Sequence, residues 1–184
     1  MFYRALELVI VVSLLALLLP LMLIIALLIK TKDGGGVFYL QDRVGLSGTI
    51  FKIYKFRSMY QDSEEDGPKE TLSYTDARIT PFGRFLRRTK IDELPQLINV
   101  LKGDMALVGP RPERPYLHES FSKELSGWEK RLQVKPGITG LAQTSGKVWL
   151  TPEEKLALDL EYVAKRSIVL DARILLATPR EVFR

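Results

Sequence analysis

The chain is 184 residues long and carries 27 Lys and Arg against 22 Asp and Glu, a formal net charge of +5. It has no cysteine and a single histidine, His118, which excludes disulfides, a thiolate nucleophile and cysteine- or multi-histidine-ligated metals; a catalytic metal would be a hard, oxygen-ligated ion such as magnesium. The modest basic excess admits anionic lipid headgroups, pyrophosphates and nucleic acid as partners.

Leu8 to Ile29 is an uncharged apolar run of 22 residues, about 33 Å long as a helix and so long enough to cross a bilayer core. Pro20 lies inside it, removes one backbone hydrogen bond and predicts a kink. Arg4 precedes the run and Lys30 and Lys32 follow it. The usual one-sided Lys/Arg bias is missing, and a spanning helix and a re-entrant helix-break-helix hairpin both fit. The residues after the run, Lys30-Thr31-Lys32, do not make a signal-peptide cleavage site.

Asp33-Gly34-Gly35-Gly36 is a natural joint, dividing an anchor (residues 1–32) from a domain of roughly 150 residues (33–184). Val37–Arg43 and Thr49–Arg57 read as two strands joined by a turn with Gly45, Ser47 and Gly48. Residues 60–74, with Asp62, Glu64, Glu65, Asp66, Gly67 and Pro68, read as a mobile polar loop. Pro81–Lys90 predicts a basic helix carrying Arg84, Arg87 and Arg88 beside Phe82, Phe85 and Leu86. Such a helix can lie at a membrane interface or pack on a core with its cations in water. Glu93–Lys102 predicts a second helix with Leu94, Leu97, Ile98 and Leu101 on one face and Gly103 as terminator. Thr151-Pro152-Glu153-Glu154 is a capping-box helix start, and Asp171–Thr178 a short helix stopped or kinked by Pro179. The fold class is therefore mixed α/β, helix-rich, with a small β-hairpin.

The chemistry concentrates in Asp92-Glu93, which follow Arg87, Arg88 and Lys90. Asp92 as helix N-cap with Glu93 in the first turn is one explanation. The other is a carboxylate kept ionised among cations, able to attack phosphorus, with Glu93 holding magnesium against a pyrophosphate. Arg111 stands between Pro110 and Pro112, which presents its guanidinium with little backbone freedom for a bidentate phosphate contact; a rigid turn with an incidental arginine reads equally well. Lys135-Pro136-Gly137-Ile138-Thr139-Gly140 can bring backbone N–H groups to an anion or can be an ordinary turn. Lys55 and Arg57 end a strand, where simple alternation puts both on one solvated face.

In order, these segments closely resemble the bacterial sugar transferases, the monotopic phosphoglycosyl transferases. The match runs through Gln41-Asp42-Arg43-Val44-Gly45, Lys55-Phe56-Arg57-Ser58-Met59, Asp76-Ala77-Arg78-Ile79-Thr80, Asp92-Glu93-Leu94-Pro95-Gln96-Leu97 and Asn99-Val100-Leu101-Lys102-Gly103-Asp104-Met105. It continues through Val108-Gly109-Pro110-Arg111-Pro112 and Lys135 to Gly140, with Asp159 and Tyr162 near the end. The resemblance implies transfer of a phospho-sugar from a UDP-sugar to a polyprenyl phosphate such as undecaprenyl phosphate, with release of UMP. It implies a ping-pong mechanism with Asp92 as nucleophile and Glu93 as its partner, both beside magnesium. Lys55, Arg57, Arg78, Arg87, Arg111 and Arg114, with Gly137 and Thr139, become the expected phosphate-binding set. It further implies a re-entrant anchor and amphipathic interfacial helices on the cytoplasmic face of the bacterial inner membrane, in a short form without the extra amino-terminal helices of larger relatives. A homodimer is compatible with this and nucleic acid is not an expected partner. Two other classes make different predictions: a membrane-anchored adaptor using Arg84, Arg87 and Arg88 survives neutralisation of Asp92, and an aspartyl-phosphate phosphatase needs no lipid acceptor.

Overall fold

The structure, a computed structural model, describes residues 2–61, 63, 76–146 and 150–182; most of the loop expected at residues 60–74 lies outside them. Helix α1 (Phe2–Lys32) contains Pro20 and runs without interruption. The expected break is absent from the secondary structure. Pro20 sits on the exposed side, and the turns on either side of it are held against the same domain.

That packing gives α1 two faces despite its uniform hydrophobicity. Val11 enters a core cluster with Ile53, Leu97, Val100, Met105 and Tyr162, while Met22, Ile25 and Ile29 enter a second with Phe56 and Leu86. Leu15 and Leu18 touch both. The opposite face leaves Val9, Val12, Leu17, Leu23 and Leu27 exposed. Near its start, Arg4 Nη2 donates to the Val100 carbonyl at 2.5 Å and Glu7 Oε1 accepts from Leu107 N–H at 2.8 Å. Both ends of the helix therefore meet the same domain.

Strands β1 (Phe38–Val44) and β2 (Ile50–Phe56) form the expected antiparallel hairpin, in register from Phe38 opposite Phe56 to Val44 opposite Ile50. Its turn places Ser47 and Gly48 at φ +52° and +81°, the left-handed region that tight turns require. Helix α2 (Pro81–Arg88) starts at Thr80, whose Oγ1 accepts from Gly83 N–H at 2.9 Å. It buries Gly83 and Leu86 and leaves Phe85 53% exposed, so it packs on the core and still shows one aromatic ring outward.

The helix expected at Glu93–Lys102 is two pieces: a 3-10 turn, Ile91–Glu93, and α3 (Gln96–Lys102), which ends at Gly103 with φ +94° as expected. The 3-10 turn begins at Lys90 in a left-handed conformation, and no side chain caps it. Asp92 is inside the turn and is not a cap. The buried face of α3 is Gln96, Leu97, Asn99 and Val100, whereas Leu101, expected inside, is 45% exposed. Asn99 explains the rotation: its Oδ1 accepts from Tyr54 N–H at 2.9 Å and its Nδ2 donates to the Lys52 carbonyl at 2.7 Å. It thereby satisfies the open edge of β2, where an apolar side chain would leave two backbone groups stranded.

Strand β3 (Ala106–Val108) pairs in parallel with β4 (Gly137–Thr139). Helix α4 (Pro115–Glu124) and a 3-10 segment, Trp128–Gln133, lie between them in sequence. Helix α5 (Pro152–Lys165) opens with the expected capping box: Glu154 N–H reaches Thr151 Oγ1 at 3.3 Å, and Thr151 N–H reaches Glu154 Oε2 at 3.1 Å. Helix α6 (Ile168–Val182) is longer than expected and carries Pro179 inside it. Ile174 anchors α6 in the core, and Ile168, Val169 and Leu176 point outward.

Candidate active site

Three elements converge on the dyad. The 3-10 turn supplies Asp92 and Glu93, β2 supplies Lys55, and the segment after β3 supplies Arg111. Lys55 Nζ donates to Glu93 Oε1 at 2.7 Å. Arg111 forks onto the same carboxylate, Nη1 to Oε2 at 3.1 Å and Nη2 to Oε1. Burial pushes the Glu93 carboxyl up, but Arg111 and Lys55 outweigh it and hold Glu93 well below the usual carboxylate range. Burial lowers the Lys55 ammonium, opposed by Glu93. Glu93 in turn raises Arg111 further above its already high value.

Asp92 has the opposite environment. It is 6% exposed, and its Oδ1 is buried without a hydrogen-bond partner among the described residues. Burial first, and the adjacent Glu93 charge second, push its pKa up to about 6, against Lys55, Arg87 and Lys90. Two neighbouring carboxylates are thus differentiated: one held as an anion between two cations, the other raised by burial and carrying an uncommitted oxygen. Arg87 reaches toward this pair from α2, its Nε donating to Ser58 Oγ at 2.8 Å, which removes one cation from the basic surface expected on that helix.

Lys55, Arg87, Asp92, Glu93 and Arg111 are therefore gathered as expected, and the solvated strand face expected for Lys55 and Arg57 is not formed. Arg57 is buried too, but its Nη2 donates to the Gly34 carbonyl at the joint between α1 and β1. Arg78 forks onto Asp76, with Nε to Oδ1 at 3.0 Å and Nη2 to Oδ2 at 2.6 Å; these hydrogen bonds pull the Asp76 carboxyl down to about 2. Arg114 stands at the start of α4. Gly137 and Thr139 are strand residues. A Cβ on Gly137 would lie 2.1 Å from Gly109 N and 2.4 Å from the Thr139 carbonyl oxygen, so this glycine permits close strand approach. Thr139 Oγ1 pairs with Thr178 Oγ1 of α6 at 2.8 Å.

Sequence reasoning missed Arg43. Its Nη1 donates to the Pro112 carbonyl at 2.8 Å and its Nη2 to Gln41 Oε1 at 2.6 Å. Burial, then nearby Arg111, lower its pKa to about 10. Nothing in a strand reading of Gln41-Asp42-Arg43 marks the arginine as inward-facing.

A model of the family described as bacterial sugar transferase matches residues 1–184. The chain belongs to the bacterial sugar transferase family. It is similar to an undecaprenyl-phosphate glucose phosphotransferase of Komagataeibacter xylinus, 44% identical over 98% of this chain and 36% of the relative. A UDP-N-acetylgalactosamine-undecaprenyl-phosphate N-acetylgalactosaminephosphotransferase of Aeromonas hydrophila is 42% identical over 89% of this chain and 39% of its own length. A UDP-glucose:undecaprenyl-phosphate glucose-1-phosphate transferase of Caulobacter vibrioides is 41% identical over 95% of this chain and 67% of its own length. This bacterial sugar transferase thus spans little more than a third of the first two relatives.

Proposed function

We propose that the chain is the catalytic unit of a phosphoglycosyl transferase that moves a sugar phosphate from a UDP-sugar to a polyprenyl phosphate and releases UMP. The observation that carries this reading is Asp92, a buried carboxylate with an unpartnered oxygen, set beside an anion already neutralised by Lys55 and Arg111. An Asp92 oxygen attacks the phosphorus that bears the sugar; the new O–P bond forms as the bond from that phosphorus to the UMP oxygen breaks, and UMP leaves with the electron pair. A phosphate oxygen of the polyprenyl phosphate then attacks the same phosphorus. The Asp92–phosphorus bond breaks, the polyprenyl diphosphosugar departs and the carboxylate is regenerated. Glu93 stays anionic throughout and anchors Lys55 and Arg111, whose remaining N–H groups face the incoming phosphates.

Magnesium would be held by the unpartnered Asp92 oxygen, with Glu93 beside it contributing negative charge, since both Glu93 oxygens already accept from Lys55 and Arg111. Magnesium bound there supplies charge neutralisation for the departing UMP. For the membrane, the contact of both ends of α1 with one domain supports an anchor that stays within one leaflet, with both ends on the face that carries the domain. The outward apolar residues of α1 and α6 are then in lipid, and the dyad is at the cytoplasmic face of the inner membrane. The relatives' names, which include glucose and N-acetylgalactosamine, support a nucleotide-sugar donor and undecaprenyl phosphate as acceptor.

The test is intact-protein mass after mixing with magnesium and a panel of UDP-sugars, without acceptor, for the wild type and Asp92→Asn. A sugar-phosphate gain in the wild type alone is expected. An equal gain in Asp92→Asn, or no gain together with no UMP release when polyprenyl phosphate is added, refutes the proposal.

A further inference from the structure

The segment that presents Arg111 is held more firmly than its two prolines explain. Proline rings restrict φ at residues 110 and 112, and Pro112 also confines ψ of Arg111 to the extended region, but φ of Arg111 and the ψ rotations of 110 and 112 stay free and would swing the guanidinium. A carbonyl's direction reports ψ, and all three carbonyls are held. Pro110 O accepts from Gly137 N–H at 2.9 Å, Arg111 O from Arg131 Nη2 at 2.8 Å and Pro112 O from Arg43 Nη1 at 2.8 Å. The next carbonyl, of Glu113, accepts from Val44 N–H at 2.9 Å.

Of these partners, Arg131 is the one tied to a separate buried acid. It is 3% exposed and stacks over the Trp128 ring at 4.4 Å, and the same Nη2 that reaches Arg111 O also donates to Asp159 Oδ2 of α5 at 2.6 Å. Asp159 is 1% exposed. A guanidinium fixed by a fully buried carboxylate and an indole face has little freedom to release the carbonyl it holds.

Building on the proposed transferase, we infer that Arg131 and Asp159 are positioning residues for the reaction: Asp159 orients Arg131, Arg131 fixes the Arg111 carbonyl, and Arg111 is thereby aimed at Glu93 and the phosphates. The pair lies outside the dyad and touches no substrate atom. Its influence passes through Arg111, which sets it apart from an ordinary core ion pair.

The experiment is a double-mutant cycle on the full-length chain, measuring the rate of covalent adduct formation with whichever of UDP-glucose, UDP-galactose and UDP-N-acetylgalactosamine charges the wild type. Arg131→Met is expected to slow the adduct step by about 10- to 100-fold, since misplacing a clamp by about 1 Å has that effect. In the Arg111→Ala background the same change is expected to cost less than about 3-fold, because the group it positions is already gone. Arg131→Lys keeps a cation opposite Asp159 but offers one ammonium to two acceptors; it is expected to retain thermal stability and recover the rate only in part. Where Arg131→Met does not fold, Asp159→Asn and Arg131→Lys carry the same cycle. Losses that multiply in full in the double variant, or an unchanged rate in the folded single variants, overturn the inference while the transferase reading stands. A wild type that no donor charges, and that releases no UMP, overturns both.

Discussion

Gly83→Ala separates local propensity from tertiary packing. Glycine in a helix interior is less favourable than alanine by about 1 kcal/mol, so a reading of α2 by itself makes this substitution stabilising. In the folded protein an added Cβ would stand 1.9 Å from the Ser58 carbonyl oxygen, 2.6 Å from its carbon and 2.7 Å from its Cα. The nearest of these is about 1.5 Å short of the 3.4 Å at which ordinary contact begins. All three are backbone atoms, so relief requires moving α2 away from the end of β2. Overpacking of this kind costs about 3 kcal/mol at its upper end; subtracting the propensity gain leaves a net loss of about 2 kcal/mol, or roughly 4–8 °C in Tm for a chain of this size. The same shift pulls Arg87 Nε from Ser58 Oγ and the Ser58 carbonyl from Thr80 N–H, which loosens one cation of the site and slows adduct formation by about 10- to 100-fold. Differential scanning calorimetry and time-resolved intact mass read the two effects. A Gly83→Ala chain with raised Tm and undiminished adduct rate would refute the reasoning.

The remaining expectations are more compact. Below about pH 6 the pH profile of kcat/KM should fall tenfold per unit as Asp92 takes up its proton; a flat profile down to pH 5 contradicts the assignment. Asp92 also bears on stability. Its folded pKa of about 6 lies above the ordinary 3.8, so the unfolded chain ionises first as pH rises and the native state loses about 3 kcal/mol between roughly pH 4 and pH 6. Asp92→Asn should therefore gain stability over the wild type across that window, by denaturant titration, while forming no adduct; equal stability at both ends of the window counts against a buried, unpaired Asp92. Asn99→Leu should destabilise by about 2–4 kcal/mol, because it strands Tyr54 N–H and the Lys52 carbonyl; a chemical-denaturation midpoint within error of wild type would show that the β2 edge finds other partners. The chain lacks cysteine, so Ala5→Cys and Gly36→Cys can each be probed with an impermeant maleimide in sealed vesicles. Both should react from the cytoplasmic side, and reaction of the Ala5 position solely from the opposite side would establish a spanning helix.

Local rules account for the elements whose signals lie within a few residues of one another. The hairpin followed from two β-rich runs around a glycine turn, the start of α5 from its capping box, and the end of α3 from Gly103. The dyad was visible because two carboxylates beside three cations are conspicuous in any one-dimensional reading. What that reading left open was decided by partners distant in the chain. Asp92 read equally as a helix cap until the 3-10 turn placed it inside the turn and buried, with Lys90 at the cap position. Leu101 was assigned inward because periodicity cannot register that Asn99 is needed at the edge of β2, 45 residues away. Pro20 predicted a kink and the re-entrant reading a break, but α1 is one continuous helix with tertiary contacts along both halves. Arg43 and Arg131 carried no local signal, since a charged residue reads as solvated wherever its buried acceptors are supplied by another segment. The sequence by itself determined which groups could do chemistry and where chain direction must change. Their pairing, burial and ionisation were decided only when the tertiary structure brought the charges together and excluded water, because electrostatic strength depends on distance and local dielectric rather than on position in the chain.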